Sequence, residues 1–280
     1  MNPRRPAALL LAAWLGLLSG CASPAYTLQA ASGHFKLMNA REPVSDLLAE
    51  PDPEDPLIER LKLAQTLLAF AEESLGLPAD GCYESVVRTS DEAITWNIVA
   101  TPPYDLNPQR WCFLVAGCVP YRGYFDRADA ERFAERLHNQ GKDVAVSGAQ
   151  AYSTLGWFDD PLLESMLQRP DGDLAEVLFH ELAHQALYVP GDATFNESFA
   201  GFIAEQGVRA WMTSAGRDVE LGAWLERQEA GAEFVRLLAD TRRSLMELYG
   251  TESDPLILAE GKADRFPTVA EFRAAWLAAR

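Results

Sequence analysis

Two histidines and a glutamate are spaced to bind one metal ion. His180 and His184 are four positions apart, and Glu181 directly follows the first histidine. Side chains at positions i and i+4 project from one face of an α-helix, about 6 Å apart along its axis, so both imidazoles can reach a single cation. Glu181 lies about 100° around the helix and can accept a hydrogen bond from a water molecule on the metal's open side. This spacing predicts a zinc site that hydrolyses its substrate.

The residues around these histidines predict the helix that positions them. Asp173 and Glu176 match an N-terminal capping pattern, and the segment around Pro190 and Gly191 is expected to end the helix. Apolar residues recur at helical spacing: Leu174, Val177, Leu178, Leu182 and Leu187. The alternative is a core helix whose histidines make ordinary hydrogen bonds. We favour the metal site, because burying two histidines beside a glutamate without a partner is unfavourable.

Glu197, on a second predicted helix, is the expected third ligand. Small residues follow it at helical spacing: Ala200, Gly201 and Ala204. They would let its helix approach the histidine helix closely. The segment from Thr194 to Glu197 also matches a capping box, in which Glu197 would only bind a backbone N–H. Glu205 is the alternative ligand.

The two segments His180–Gln185 and Asn196–Ala200 together resemble the HELAHQ…NEGFA signature of zinc aminopeptidases of the gluzincin clan. The interval between the second histidine and the glutamate is shorter here than in those enzymes. Most of the mature chain is similar to a bacterial family of predicted zinc aminopeptidase lipoproteins. The further segments that carry this similarity are Trp111–Phe113, Gly117–Phe125 and Ala151–Pro161.

The resemblance implies one Zn²⁺ ion and a peptide substrate. It implies that His180, His184 and Glu197 are the metal ligands and that Glu181 is the general base. It also implies a zincin-like fold, with a sheet against the active-site helix. The Gly-x-Met-Glu-Asn segment, which holds the free amine of the substrate in better-known aminopeptidases, is absent from this sequence. The choice between exopeptidase and endopeptidase therefore stays open.

Hydrolysis also needs a donor for the oxyanion that develops on the substrate. The remaining histidines, His34 and His138, are in segments that look peripheral, so we expect a tyrosine. Tyr152 is preferred because it lies in a glycine-flanked loop shortly before the active-site helix. Tyr188 and Tyr249 are alternatives, and Tyr152 could instead be an ordinary packed aromatic residue.

Residues 1–20 have the composition of a secretory signal peptide. Two arginines precede an apolar stretch over 7–18, which is too short to span a bilayer comfortably. The following Leu18-Ser19-Gly20-Cys21 looks like a bacterial lipobox, which implies cleavage before Cys21 and lipidation of its thiol. Ala22 after this cysteine favours the outer membrane, with the protein facing the periplasm. A plain signal peptide and an uncleaved anchor are the alternatives.

The chain is strongly acidic, with a formal net charge of −17 at pH 7. Such a surface repels nucleic acids and anionic lipid headgroups. We therefore expect no nucleic-acid partner, and we expect membrane attachment through the lipid on Cys21. The sequence does not specify an oligomeric state.

Three further cysteines are expected to be structural, since they lack a C-x-x-C spacing and an exported chain meets an oxidising compartment. Cys112 and Cys118 enclose five residues and could close a short loop as a disulfide. Cys82 paired with either of them is the alternative.

The order of predicted elements indicates one α+β domain over 21–280, with short strands in the first half packed against a helical second half. Predicted strands cover 85–88, 95–100, 113–116 and 143–147. Predicted helices cover 57–75, 126–140, 221–249 and 269–279, with helix dominating from 162 onward.

Together these features predict a lipid-anchored zinc peptidase, with aminopeptidase activity as the resemblance implies. The alternatives are an envelope metalloendopeptidase and a non-catalytic lipoprotein that uses the metal as a structural brace. The presence of Glu181 argues against the brace, because a catalytically inactive relative would usually lose this base.

Overall fold

The computed structural model describes residues 24–52, 54–89, 93–113, 117–149 and 160–265. The signal peptide, Cys21 and Tyr152 therefore lie outside the described residues, as does the helix predicted over 269–279. The chain forms two compact units, one built from 24–39 and 93–149 and the other from the remaining described residues. The assignment of 21–280 to a single domain stays a prediction.

The described elements confirm a mixed α+β fold whose second half is mostly helical. The helices are α1 (Pro24–Asn39), α2 (Val44–Ala49), α3 (Pro56–Leu75), α4 (Arg127–His138), α5 (Glu164–Leu167), α6 (Asp171–Ala186), α7 (Ala193–Ser214), α8 (Asp218–Thr251) and α9 (Pro255–Ala263). The strands are β1 (Arg41–Pro43), β2 (Ser85–Val87), β3 (Thr95–Thr101), β4 (Trp111–Phe113), β5 (Gly117–Val119), β6 (Arg122–Tyr124), β7 (Asp143–Ala149) and β8 (Leu162–Leu163). Within the described ranges, none of these helices has the length and apolarity needed to cross a membrane.

The unit formed by 24–39 and 93–149 contains an antiparallel sheet with the strand order β6-β3-β7. Its core consists of Ile98, Ala100, Trp111, Tyr124, Ala130 and Leu137. β4 and β5 form a separate hairpin in which Cys112 pairs with Cys118 in register, and the two cysteines form a disulfide. A disulfide between residues that already face each other across a hairpin closes a short loop, as the cysteine spacing suggested.

The other unit combines a small sheet with a group of packed helices. Its sheet has the order β1-β2-β8, in which β2 pairs antiparallel with β1 and parallel with β8. Three of the five residues predicted for the apolar side of α6, Leu174, Leu178 and Leu182, are completely buried, together with Ala175, Phe179 and Ala183. The other two differ from the prediction: Val177 is only partly buried, and Leu187 is 42% exposed because α6 ends at Ala186. The histidine helix is therefore fixed within the core of this unit.

Small residues let α7 pack closely on α6, although one of them differs from the prediction. Ala200 and Ala204 are buried as expected. Gly201 is wrong as a member of this contact, because a Cβ there would meet nothing within 4 Å. Gly207 takes its place, since a Cβ there would lie 2.7 Å from the ring of Phe179. The stripe at 200, 204 and 207 continues the face of α7 that begins at Glu197.

The predicted cap of the histidine helix is wrong, and the alternative in which Glu197 belongs to a capping box is also wrong. α6 begins at Asp171 and has no side-chain cap, and Asp173 forms an ion pair with Arg227 at 3.0 Å. The capping residue of α7 is Asp192, whose carboxylate accepts a hydrogen bond from the N–H of Phe195 at 3.0 Å. Glu197 lies inside α7 and does not close a capping box, so its carboxylate is available for another contact.

Candidate metal centre

His180, His184 and Glu197 bring three ligand atoms together. Nε2 of His180 lies 3.1 Å from Nε2 of His184 and 3.4 Å from Oε2 of Glu197. Nε2 of His184 lies 3.7 Å from Oε1 of Glu197. A tetrahedral ion with bonds of about 2.0–2.1 Å separates its ligand atoms by about 3.3 Å. The triangle therefore fits a single ion of that size, and no second such group of His, Cys, Asp or Glu occurs among the described residues.

The two histidines occupy successive turns of α6 but differ in exposure. His184 is 7% exposed, whereas the side chain of His180 is about one-quarter exposed. Their ring centroids are 4.7 Å apart and the rings are nearly perpendicular. Both Nε2 atoms point to the same place, where a cation could use both lone pairs. Nδ1 of His184 is buried and, among the described residues, has no hydrogen-bond partner.

Glu197 comes from the second turn of α7 and completes the triangle from the solvent side. Its side chain is 68% exposed, although both carboxylate oxygens lie within 4 Å of an imidazole nitrogen. The alternative ligand, Glu205, instead forms an ion pair with Arg209 one turn further along α7, at 2.8 Å. A ligand set with two histidines on one helix and an exposed carboxylate on the next leaves one side of the centre open to solvent.

Asn196 holds the connection between the two ligand-bearing helices. This side chain is 1% exposed, and its Nδ2 donates to the carbonyl oxygen of Val189 at 2.9 Å. Its Oδ1 accepts a hydrogen bond from the N–H of Val189 at 2.8 Å. Both ends of its amide bind the backbone of the connection, which fixes where α7 begins.

Tyr83 is a buried residue near the centre that the sequence analysis missed. Its side chain is 1% exposed, and it has φ 59°, the single positive φ of a non-glycine residue within the described ranges. Its N–H donates to the carbonyl oxygen of Asp160 at 3.2 Å. Burial raises the pKa of Tyr83 well above its ordinary value, and the charges of Glu181 and Asp160 raise it further. The phenol therefore remains protonated on the side of α6 that carries Glu181.

The neighbouring Cys82 confirms which face of α6 this turn covers. Its thiol donates to Oε1 of Gln185 at 3.0 Å, and Gln185 lies one turn after Glu181 on α6. Residues four apart on a helix share a face. The Cys82–Tyr83 turn therefore packs beside the predicted general base. The preceding Asp80-Gly81 is a turn signal in the sequence, but nothing local indicated which helix the turn would contact.

The tyrosines considered as oxyanion donors are found in different places. Tyr188 lies directly after α6, with its ring 6.4 Å from the ring of His184 and nearly half of its surface exposed. Tyr249 lies near the end of α8. His34 and His138 belong to the other compact unit. The described part of the chain thus brings Tyr188 beside a candidate ligand, and the role of Tyr152 stays a prediction.

Glu176 is a further carboxylate on α6, one turn before His180. Its Oε2 accepts hydrogen bonds from Nε1 of Trp224 at 3.1 Å and from Nε2 of Gln228 at 2.7 Å, both on α8. Burial raises the pKa of Glu176, while the two hydrogen bonds and the nearby His180 act in the opposite direction. The sequence pattern predicted a capping role for Glu176, so its hydrogen bonds to α8 are a finding of the structure.

Comparison with known proteins identifies the family of the chain. No curated protein and no solved structure shows significant similarity to it. A family model with the description "Putative aminopeptidase" matches residues 25–279, which include both compact units and all three candidate ligands. The chain belongs to this aminopeptidase family.

Proposed function

We propose that this protein is a lipid-anchored, zinc-dependent peptidase that hydrolyses peptides in the bacterial cell envelope. The observation that carries the proposal is the convergence of His180, His184 and Glu197 on one point, in a chain from an aminopeptidase family. A helix that bears His-Glu-x-x-His, followed by a helix that bears the third ligand, also supports a zincin-like arrangement.

The residues of the centre have distinct roles in this proposal. Zinc, when bound, polarises a peptide carbonyl and makes a water molecule more acidic. His180, His184 and Glu197 hold the ion, and the exposed side of Glu197 leaves room for the substrate. Glu181 accepts a proton from the attacking water at a carboxylate oxygen and delivers it to the leaving amine nitrogen. Tyr152 is proposed to stabilise the developing oxyanion, as the sequence analysis predicted.

Two measurements on the full chain, purified in detergent, test this function. Wild type should contain about one zinc per chain and should cleave a peptide library. Glu181→Gln should keep the zinc and lose hydrolysis, because the amide is isosteric but cannot accept the proton. Glu205→Gln is the matched control, since Glu205 lies outside the ligand group and pairs with Arg209. Zinc below about half an equivalent, or full activity of Glu181→Gln, would refute the proposal.

The family description supports aminopeptidase activity, and one observation favours the alternative of endopeptidase activity. The segment by which better-known aminopeptidases hold the free amine is missing from the sequence. Peptides with a blocked N-terminus separate the two activities, because an aminopeptidase requires the free amine. Cleavage of blocked peptides at internal bonds would assign the endopeptidase activity. Zinc binding with no cleavage of any peptide would instead support the metal-braced lipoprotein.

The location in the envelope is proposed from the N-terminal sequence. Residues 1–20 are the proposed signal peptide, and Cys21 is the proposed lipidation site, with anchoring in the outer membrane facing the periplasm. Metabolic labelling with a radioactive fatty acid should mark wild type and leave Cys21→Ser unlabelled. Equal labelling of both proteins would contradict the assignment of Cys21.

A further inference from the structure

One side of α1 packs on the sheet of its own unit. The ring of Tyr26 stacks on the ring of Phe113, with 5.3 Å between the ring centroids. Leu37 lies on the same side of the helix about three turns later and is 7% exposed. Nε2 of Gln29 donates to the carbonyl oxygen of Gly123 in β6 at 3.3 Å. These contacts hold α1 against the unit along one side of the helix.

The opposite side of α1 exposes two large apolar side chains. Leu28 is 70% exposed and Phe35 is 65% exposed. The two residues are seven apart, so they project from the same side of the helix, and Leu28 lies about 200° around the helix from Tyr26. Ala31 and Ser32 lie between them, and both are exposed and uncharged. Because a helix on the surface of a soluble protein usually carries charged residues on its outer side, this apolar side indicates a partner.

The charge of α1 differs from that of the whole chain. The sequence contains 41 Asp and Glu among 280 residues, yet none of them occurs from Cys21 to Arg41. Lys36 directly follows Phe35 and is exposed. A basic residue beside exposed apolar side chains matches a bilayer surface, which offers acyl chains to the apolar groups and anionic headgroups to the lysine. The segment thus lacks the acidic charge that keeps the chain as a whole away from such headgroups.

The position of α1 in the sequence places it next to the proposed membrane anchor. Cys21 is the proposed lipidation site, and α1 begins at Pro24. An extended chain spans at most about 3.6 Å per residue, so three residues reach about 11 Å. This reach is shorter than α1 itself, whose 16 residues rise about 24 Å. In the lipidated protein, the first turn of α1 must therefore lie close to the bilayer surface.

We propose that α1 lies along the bilayer surface, with Leu28 and Phe35 inserted among the lipids and Lys36 at the level of the headgroups. This inference rests on the proposed lipidation of Cys21. A lipid on one residue holds the chain at a single point and sets no orientation. A helix that inserts two side chains, two turns apart, defines a line on the surface and so orients the unit to which it is packed.

Photocross-linking of the full lipidated protein in vesicles tests this placement. The photoreactive amino acid p-benzoylphenylalanine is introduced at position 28 or at position 35, and the protein is reconstituted in vesicles of phosphatidylethanolamine and phosphatidylglycerol. Lipid adducts formed on irradiation are measured by mass spectrometry. Both positions are exposed, so the larger side chain leaves the packed side of α1 intact. Both positions should give lipid adducts, because the reactive ketone then lies beside acyl chains.

Val99 is the matched control position in the same unit. It is 37% exposed, so the photoreactive side chain can be placed there too. Tyr26 of α1 contacts Tyr124, which pairs with Trp96 across the sheet. Because Val99 is three positions after Trp96 on β3, its side chain points to the opposite face of the sheet. That face is not the one that α1 contacts, so position 99 should give no lipid adduct above the background without irradiation.

The other outcomes would overturn the proposal. Equal lipid adducts at positions 28, 35 and 99 would show lipid contact without a fixed orientation, and a lack of adducts at position 28 or 35 would show that this side of α1 does not enter the bilayer. Cross-links to a second copy of the chain, in place of lipid, would assign the surface to an interface between copies. The mass of the N-terminal peptide from the same sample reports lipidation separately. An unmodified Cys21 would overturn the proposed anchor together with this inference, whereas a lipidated Cys21 without adducts would overturn the inference alone.

Discussion

The amide of Asn196 offers the sharpest test of how the α6–α7 connection is held. Asn196→Ala removes the two hydrogen bonds to the backbone of Val189, at 2.8 and 2.9 Å. A typical hydrogen bond within a protein contributes about 0.5–1.5 kcal/mol, so the two together contribute about 1–3 kcal/mol. The side chain is 1% exposed, and the space left by its amide adds to this loss. We therefore expect the free energy of unfolding to fall by about 2–4 kcal/mol.

Urea denaturation of the metal-free protein, followed by circular dichroism, measures this change. Asn107→Ala is the control, because the amide of Asn107 is exposed and binds only the neighbouring Asp105 at 2.7 Å. It should change stability by less than about 0.5 kcal/mol. A similarly small change in Asn196→Ala would refute the reasoning, since a buried amide with two backbone partners could not then be holding the connection.

The same variant should also bind metal more weakly. Glu197 directly follows Asn196, so a loosened connection must be ordered again before Glu197 can join the two histidines. Each 1.4 kcal/mol of free energy that this ordering costs raises the dissociation constant for zinc about tenfold. Zinc competition on Asn196→Ala should therefore show a loss of about tenfold, while Asn107→Ala keeps wild-type affinity. Normal affinity together with lowered stability would mean that metal binding does not depend on the connection.

Two further predictions concern packing and pH. Gly207→Ala should destabilise the protein by about 1–3 kcal/mol in urea titrations, because its Cβ would lie 2.7 Å from Phe179. Gly201→Ala is the control on the same helix, because a Cβ there has open space, and it should be neutral or stabilising by up to about 1 kcal/mol. Equal effects of the two substitutions would refute the close packing of Gly207 on Phe179. Asp171 forms ion pairs with Arg60 at 2.5 Å and with Arg217 at 2.7 Å. Burial opposes ionisation of Asp171, but the hydrogen bonds from these arginines lower its pKa overall, so its stabilising contribution is present at neutral pH and is lost as the pH falls below about 4. Stability curves of wild type and Asp171→Asn should therefore differ at pH 7 and converge in acid, and a constant difference across that range would contradict these ion pairs.

The elements nearest the metal centre were the most predictable from sequence, because their signals are local. The apolar period of α6 predicted its buried face, on which Leu174, Leu178 and Leu182 are fully covered. The segment 57–75 was predicted as helix and is α3, Pro56–Leu75. The periodicity of apolar side chains is a property of the sequence, so it predicts the buried face of a helix whichever element that face packs against.

Errors arose where one residue could serve two purposes. Asp173 and Glu176 have the spacing of a capping box, yet α8 uses one for an ion pair and the other for hydrogen bonds. Gly201 looked like a packing residue, while Gly207 takes that role. A carboxylate in a capping pattern can accept a hydrogen bond from any nearby donor instead of from the first turn of its own helix. A glycine likewise contacts whichever helix packs against its face. Both contacts therefore depend on neighbours that are distant in sequence.

The cysteines show the same limit. The sequence left Cys82 as an alternative partner for the disulfide. The structure pairs Cys112 with Cys118 across a hairpin, while the thiol of Cys82 donates to Gln185 on α6. Disulfide formation requires Cα atoms within about 7 Å, and sequence spacing alone fixes that distance only for the short hairpin loop.

The sequence by itself determined that His180 and His184 share a helical face with Glu181 beside them, since the geometry of a single helix follows from residue spacing. It also determined the acidic charge and the disposition of helices in the second half. Only the tertiary structure decided that Glu197 meets the histidines and that Asn196 fixes the connection between their helices. It also decided that Glu176 binds α8 and that Tyr83 lies on the side of Glu181. The physical reason is that these contacts join different elements, so they depend on how the helices pack and on which buried polar groups find partners there.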